Sequence, residues 1–203
     1  MLDMGFIDDV RKIISQCKAE RQTLLFSATI HSEVAQLAGR YMKDPIKVAA
    51  VSYVDPTKLE QIYYDVPNNS KIGLLVHLIK HETSGLVMVF CNTRRNVDFV
   101  AKNLKVNGIE SQAMHGGFTQ AKRSKTLEQF HSNKVQVMIC TDVAARGLDI
   151  PHVSHIYNYD LPVDSKEYIH RIGRTARAGK EGKVINVLSG DSHDNFSRIL
   201  QDP

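Results

Sequence analysis

Residues 135–150 are VQVMICTDVAARGLDI. The stretch begins with a nearly continuous apolar run and changes at Thr141 and Asp142 to polar residues, which an alanine-rich segment follows. A short apolar run without alternation is typical of a strand that is buried on both faces, as in a parallel sheet covered by helices. The stretch therefore predicts a strand, a polar turn and a helix of an α/β protein.

The same pattern recurs along the chain. In TRRNVDFVAKNLKVNG, Thr93 is the predicted N-cap, Val97, Val100 and Leu104 form an apolar stripe, and Gly108 ends the helix. Strand–helix alternation predicts a mostly parallel α/β sheet with helices on both faces. The predicted strands are 23–28, 59–66, 86–91, 110–115, 135–141, 153–160 and 183–188.

Composition limits the possible classes. The chain has 203 residues, and none of its apolar runs approaches the ~20 residues of a membrane span, so we expect no membrane partner. Cys17, Cys91 and Cys140 form no CxxC motif, and two of them lie in apolar runs, which indicates reduced core thiols and a cytoplasmic location. His152 and His155 have no second ligand pair, so no metal site is predicted in this chain.

Positive charge is concentrated in one region. Residues 91–182 contain 14 Lys and Arg against 9 Asp and Glu, whereas the net charge of the whole chain is +4. A basic segment of this kind is either a solvated face or a polyanion site, and charge alone does not decide between them.

A proline-containing stretch, VSYVDPTK at 51–58, separates residues 1–50 from the alternating body. Residues 1–50 are too few to bury a core of their own. We expect them to be the C-terminal fragment of a preceding domain, with a linker at 51–57 and a second domain at 58–203. The apolar residues 24–26 are expected to lack sheet neighbours, and an unpaired strand edge favours disorder or self-association through residues 1–50.

Polar clusters follow the predicted strands. The sequence NT follows one strand, HGGFTQAKR the next, TDVAARGLDIP a third, and HRIGRTARAG lies at 170–179. Because parallel strands end at one edge of a sheet, these clusters should gather there and form a basic ligand-binding rim. Arg171 has Glu167 four residues before it as a possible helix partner, whereas Arg174 has no local partner.

These clusters resemble the conserved motifs of one family. SAT, VFCNT, HGG with QAKR, TDVAARGLDI, YNYDLP and HRIGRTARAG occur in the order of motifs III to VI of the DEAD-box ATP-dependent RNA helicases of superfamily 2. The opening MLDMGF is similar to the segment just downstream of the Asp-Glu-Ala-Asp box. The resemblance implies a RecA-like helicase C-terminal domain preceded by the end of the ATP-binding domain.

The sequence contains no GxxxxGK[ST] loop and no Asp-Glu-Ala-Asp tetrad. The resemblance therefore implies half of an ATP-hydrolysing site, with the phosphate loop and the Mg²⁺ ligands in the first domain. We expect the chain to be inactive alone and the intact protein to unwind short RNA duplexes.

The resemblance implies the following contacts to ATP and to the first domain. Arg174 and Arg177 would reach the γ-phosphate across the interdomain cleft, for which the planar guanidinium fork is suited. Asp149 would bind a ribose hydroxyl. His170 and Arg171 would couple the two domains, and the helix pair remains the alternative for Arg171.

The resemblance also implies contacts to the RNA backbone, which carry no base information and predict sequence-independent binding. The implied residues are Thr93, Gly116, Gly117, Arg123, Thr141 and Arg146. Ser27 and Thr29 would couple nucleotide state to strand separation, although SAT taken alone could be a strand end. Asp142 is predicted to be a cap or network residue.

This sequence departs from the family pattern at two positions. Gly117 stands where the family usually has Asp, so a hydrogen bond from that carboxylate is in doubt. Ala176 replaces a frequent glycine, which we expect to be a small change.

Two other interpretations remain. One is another superfamily 2 enzyme, against which His170 argues because those relatives usually carry Gln there. The other is a non-catalytic RecA-like module that binds RNA or acts as a scaffold.

Overall fold

The computed structural model describes residues 6–26, 32–48, 56–82, 85–148, 150, 153–176, 180–190 and 192–201. The chain divides into two compact units, Met1–Val51 and Ser52–Pro203. Unit 1 contains the helices α1 (Ile7–Ser15) and α2 (Ser32–Tyr41). Unit 2 contains β1 (Leu59–Asp65), α3 (Lys71–Glu82), β2 (Val87–Phe90), α4 (Arg94–Val106), β3 (Ser111–Met114), α5 (Gln120–His131), β4 (Val137–Cys140), α6 (Asp142–Ala145), β5 (His155–Asn158), α7 (Ser165–Ile172), β6 (Gly182–Leu188) and α8 (Ser192–Gln201).

The six strands of unit 2 form one sheet in the order β1-β6-β5-β2-β4-β3. Every pairing is parallel, which confirms the predicted parallel α/β sheet. The central strand β2 pairs with β4 on one side and with β5 on the other. After β2 the chain first adds strands on the β4 side of the sheet and then on the β5 side, so the strand order reverses at β2. In α/β sheets, ligands bind at the carboxyl ends of the strands at such a reversal point.

Successive strand residues point to opposite faces, so each strand contributes to two cores. The first core contains the odd-numbered residues of β2 and β4 and buried residues of α3 and α4: Val87, Val89, Val137, Ile139, Leu75, Leu78, Val97, Val100 and Leu104. The second core contains the even-numbered residues of the same strands and buried residues of α5 to α8: Met88, Phe90, Met138, Cys140, Phe130, Ala144, Tyr168 and Ile199. The sheet is thus covered by helices on both faces, as predicted.

Helix α4 has the predicted boundaries and buried face. The Thr93 side chain accepts a hydrogen bond from the Asn96 backbone N–H at 3.1 Å, and this satisfies one free donor of the first turn. Gly108 has a φ of +76°, a left-handed conformation that glycine adopts without strain, directly after the helix. A side chain at Gly182 would meet the Thr175 side chain, so only glycine lets β6 begin there.

The predicted strand at 23–28 is wrong for residues 23–26, which lie in unit 1 outside any strand. A strand forms only with a hydrogen-bonded neighbour, and the described residues offer none to this segment. Leu24 and Phe26 are therefore left 65% and 89% exposed. Among the described residues of unit 1, Leu37 is the buried apolar one.

The cysteines are free, with Cys91 and Cys140 buried as predicted. The Cys91 N–H donates to the Cys140 carbonyl at 2.9 Å, but the two thiols belong to opposite cores and cannot bridge. Burial raises the pKa of both thiols, which keeps them protonated.

Along the described stretches, no helix has both the length and the apolar character needed to cross a bilayer.

Candidate functional site

The carboxyl ends of β2, β3, β4 and β5 lie at one edge of the sheet, which we call the carboxyl edge. It consists of the loops after these strands and the side of α7 that packs on them. Three polar clusters predicted from sequence follow these strand ends, as Asn92–Thr93, His115–Gly117 and Thr141–Asp142. The strand predicted at 153–160 ends already at Asn158, so Tyr159 and Asp160 also follow a strand end. The parallel topology therefore brings them together.

Arg171 of α7 is the centre of this edge and is only 1% exposed. Its Nε and Nη2 donate to the two carboxylate oxygens of Asp142 at 2.8 and 2.7 Å. Its Nη1 donates to Asn158 Oδ1 at 2.9 Å and to the Asp160 carbonyl at 2.6 Å, and its Nη2 also donates to Asn92 Oδ1 at 2.9 Å. All five N–H groups of the guanidinium are thus used within unit 2.

This network corrects one interpretation of Arg171 and restricts another. The helix pair with Glu167 is wrong, because Arg171 forms its ion pair with Asp142, and Glu167 instead accepts from Arg146 at 3.3 Å. Asp142 is a network residue, as predicted. Because Arg171 has no N–H left to donate in this arrangement, any effect it has on a first domain is indirect, through the loops that it holds.

A second buried cation lies beside the first network. Lys71, at the start of α3, approaches Asp160 Oδ1 at 3.3 Å and lies 4.5 Å from the centre of the Tyr159 ring. Asp160 Oδ2 accepts from the Asn92 N–H at 3.0 Å and from Asn96 Nδ2 at 2.8 Å. Burial and the Asp160 carboxylate raise the pKa of Tyr159 to about 12. Asp160, which follows β5, therefore holds the loop after β2, and Lys71 of α3 pairs with the same carboxylate.

The turn after β3 is held by His115. Its Nδ1 accepts from the Gly117 backbone N–H at 3.1 Å, and its Nε2 lies 3.1 Å from Asp98 Oδ1. The first bond requires an unprotonated Nδ1, so the proton is on Nε2 and is donated to Asp98. The Gly117 N–H, predicted to contact RNA, is thus used inside the turn.

The other predicted RNA residues lie on neighbouring elements of the edge. Arg123, in the first turn of α5, donates to Gln120 Oε1 at 3.3 Å and to the Ala144 carbonyl at 3.4 Å. Arg146, after α6, makes the 3.3 Å contact with Glu167. Burial is the main cause that raises the pKa of Glu167. Thr141 is buried and precedes α6 without capping it through its side chain.

Residues after α7 come next along the edge. Arg174 is half-buried and donates from Nη1 to the Leu148 carbonyl at 3.2 Å, and His170 is half-buried as well. Ala176 has a φ of +49°, so alanine in place of the glycine that is frequent in the family is not the small change expected. A side chain in the left-handed region costs roughly 1–2 kcal/mol. The predicted site residues Ser27, Thr29, Asp149 and Arg177 lie outside the described residues, as does most of the linker at 51–57.

Two residues of the edge and its support were not predicted. Arg94, the first residue of α4, lies against the Gly116–Gly117 turn, where its Nη2 is 3.3 Å from the position of a Cβ on Gly116. Asn186 is fully buried in β6 and accepts from Asn158 Nδ2 at 2.8 Å. The signal for Asn186 was an amide within an apolar strand, which requires a polar partner.

Over the described part of the chain, no cluster of three or more His, Cys, Asp or Glu could hold a metal ion.

Known proteins resemble the chain over nearly its whole length. It is 44% identical over 191 residues to the DEAD-box ATP-dependent RNA helicase CshA of Geobacillus kaustophilus, a match that covers 93% of this chain and 41% of that protein. The CshA helicase of Bacillus subtilis is 42% identical, with 93% and 38% covered. The chain thus spans about two fifths of the length of these curated relatives.

Solved structures agree with the fold. Dbp5 of Saccharomyces cerevisiae bound to RNA and ADP BeF3 superposes with a TM-score of 0.85 at 31% identity, covering 97% of this chain and 53% of that one. A DEAD box protein from Methanococcus jannaschii gives a TM-score of 0.67 at 37% identity, covering 99% and 54%. The model of the helicase conserved C-terminal domain matches residues 70–179, more than half of the chain. With the parallel sheet and the motifs of its carboxyl edge, the chain therefore belongs to the helicase conserved C-terminal domain family, in the form found in DEAD-box RNA helicases.

Proposed function

We propose that this chain is the C-terminal RecA-like part of an ATP-dependent RNA helicase. In the intact enzyme it binds the RNA backbone and supplies arginine and ribose contacts to ATP held by a first domain, which also supplies the Mg²⁺ ligands. Residues 1–50 are the C-terminal fragment of that first domain, 51–57 the linker and 58–203 the second domain. Free thiols support a cytoplasmic location.

The observation that carries the proposal is a contrast among the arginines of the carboxyl edge. Arg171 is saturated by five hydrogen bonds of 2.6–2.9 Å. Arg123 and Arg146 are less buried and make contacts of 3.3–3.4 Å, and both keep further Nη donors outside these contacts. The Arg123 Nε is buried and has no partner in the described part of the chain. One arginine thus holds the edge together, while the others can bind phosphate. Short charged hydrogen bonds to phosphate would replace their long contacts.

The position of α7 supports the roles that we propose at the nucleotide. Arg171 fixes this helix on the loops after β2 and β4, and Arg174 follows three residues later and donates to the Leu148 carbonyl. We assign the γ-phosphate contacts to Arg174 and Arg177, a ribose contact to Asp149, and domain coupling to His170, Ser27 and Thr29. ATP supplies the energy of strand separation, and these residues orient its phosphates and sense their presence.

RNA binding tests the proposal directly. Fluorescence anisotropy with a labelled decauridine should show binding to the 203-residue chain that weakens linearly on a log–log plot against salt. Arg123→Ala with Arg146→Ala should reduce the salt slope by about 1.4, the loss of two single-strand phosphate contacts, whereas Lys134→Ala, before β4 at the opposite edge, should not. Oligomers of A, C and U should bind about equally. Binding that is independent of salt, or confined to one sequence, would refute the proposal.

Hydrolysis provides a second test. Because the 203 residues contain no phosphate loop, the chain alone should show no RNA-stimulated ATP hydrolysis. Turnover above the buffer blank that RNA stimulates, in a preparation free of other ATPases, would show that the chain contains a complete site.

We also propose that residues 1–50 self-associate. The support is the apolar surface that unit 1 exposes at Leu24, Phe26, Ile46 and Val48. Burying such a surface against a second copy removes it from water.

A further inference from the structure

Arg94 lies directly against the glycine pair of the β3 turn. It follows the N-cap Thr93 and begins α4. A Cβ on Gly116 would lie 3.3 Å from Arg94 Nη2, and a Cβ on Gly117 would lie 3.8 Å from Arg94 Nη1. The Arg94 guanidinium therefore lies in the space that side chains at positions 116 and 117 would occupy.

Arg94 differs from the other arginines of the edge in its partners. Within the described part of the chain the Arg94 guanidinium makes no hydrogen bond or ion pair, and the residue is exposed. Asp98, one turn further along α4, could face it at the i+4 position, but Asp98 Oδ1 lies 3.1 Å from His115 Nε2. The guanidinium of Arg94 thus lies beside the two glycines, and none of its five N–H donors is used by a described group of the protein.

The same turn has lost one backbone donor. The Gly117 N–H is donated to His115 Nδ1, so it does not face a ligand. A phosphate approaching this turn would find the Arg94 guanidinium as the charged donor beside it. A planar fork of this kind binds two phosphate oxygens at once.

We propose that Arg94 binds a backbone phosphate of RNA at the His115–Gly117 turn, and that Gly117 keeps Arg94 available for it. The inference rests on the proposed RNA-binding function and adds a residue and a control point to that site. An aspartate at 117 would extend from a Cβ 3.8 Å from Arg94 Nη1. A Cβ–Cγ bond of about 1.5 Å and a C–O bond of about 1.2 Å would bring its oxygens within hydrogen-bonding distance of Arg94. Such a carboxylate would take the place of the phosphate.

Four variants of the 203-residue chain test both parts with labelled decauridine: Arg94→Ala, Gly117→Asp, Gly117→Ala, and Arg94→Ala with Gly117→Asp. Arg94→Ala should weaken binding about tenfold, as for one charged hydrogen bond, and reduce the salt slope by about 0.7. Gly117→Asp should weaken it to a similar degree. Gly117→Ala should stay within about twofold of wild type, because it adds the same 3.0 Å contact with the His115 ring but no charge. In the double variant, Gly117→Asp should add little to the loss caused by Arg94→Ala.

Lys105→Ala, at the other end of α4, is the control for losing one positive charge, and melting curves of all variants check folding. If Arg123→Ala weakens binding and Arg94→Ala does not, the role of Arg94 is refuted while the proposed function stands. If Gly117→Asp costs as much without Arg94 as with it, the carboxylate repels RNA directly and the role of Gly117 is refuted. A wild-type chain that binds no RNA would refute the proposed function itself.

Discussion

Replacing Arg171 by lysine should destabilise unit 2 by about 3 kcal/mol, although the charge is kept. The guanidinium joins Asp142, Asn92, Asn158 and the Asp160 carbonyl through five hydrogen bonds. An ammonium group is a point donor that cannot reach both carboxylate oxygens and the two amides from one position. Each buried acceptor left unpaired costs about 1–3 kcal/mol, and breaking a buried ion pair costs about 3–5 kcal/mol.

The assay is equilibrium unfolding in urea followed by far-ultraviolet circular dichroism, since the chain has no tryptophan. The transition midpoint should fall with little change in slope, because the surface exposed on unfolding is the same. Arg95→Lys on the exposed side of α4 is the matched control and should stay within about 0.5 kcal/mol. An Arg171→Lys chain within about 1 kcal/mol of wild type would show that the five bonds are replaceable, and the account of the carboxyl edge would fail.

Four further predictions concern other residues. Glu167→Gln should tighten RNA binding about two- to threefold, because it releases Arg146. In binding titrations at several pH values, the RNA affinity of the wild type should rise as pH falls through the raised pKa of Glu167, and the affinity of the Gln variant should not. Protonation of Glu167 should also raise the free energy of unfolding as pH falls, because the folded state binds this proton more tightly than the unfolded state does. Arg177→Lys in the two-domain enzyme should lower single-turnover ATP hydrolysis at least ~100-fold with an unchanged melting temperature. Phe26→Asp should abolish self-association in light scattering, and a strictly monomeric wild type would contradict the proposal. Ala176→Gly should raise stability by about 1 kcal/mol in urea unfolding, since it relieves a φ of +49°.

The sheet of unit 2 was predictable because its signal is local. Each buried strand is a short apolar run between polar turns, and Thr93 and Gly108 mark the ends of one helix in the sequence itself. The strand predicted at 23–28 had the same local signal and is wrong for residues 23–26. Strand formation depends on a neighbour, and sequence periodicity contains no information about whether that neighbour exists.

The partners of the arginines were not predictable for a related reason. Spacing suggested Glu167 for Arg171, four residues away, but Arg171 binds Asp142, 29 residues away, and Glu167 binds Arg146. Local spacing identifies candidate pairs on one helix, whereas the tertiary placement of Asp142 and Arg146 beside α7 decides which pairs form. The order of strands and polar clusters did predict that Thr93, Gly117 and Thr141 lie at strand ends of one edge, but neither this order nor the resemblance revealed Arg94, whose environment depends on glycines of another loop.

The buried polar side chains between β1 and Arg171 explain how the edge is aligned. Arg171 donates to Asn158 at 2.9 Å, Asn158 to Asn186 at 2.8 Å, Asn186 to the Tyr168 hydroxyl at 3.1 Å, and Tyr168 to Gln61 at 2.7 Å. Every donor in this series points the same way, so each bond polarises the next and strengthens it. Asn158 and Asn186 are also register partners of β5 and β6, and a slip of one residue would turn one amide to the opposite face and leave the other unpaired. The series therefore fixes the register of the outer strands to the orientation of Arg171, and through Arg171 to the loops that we propose bind RNA and ATP.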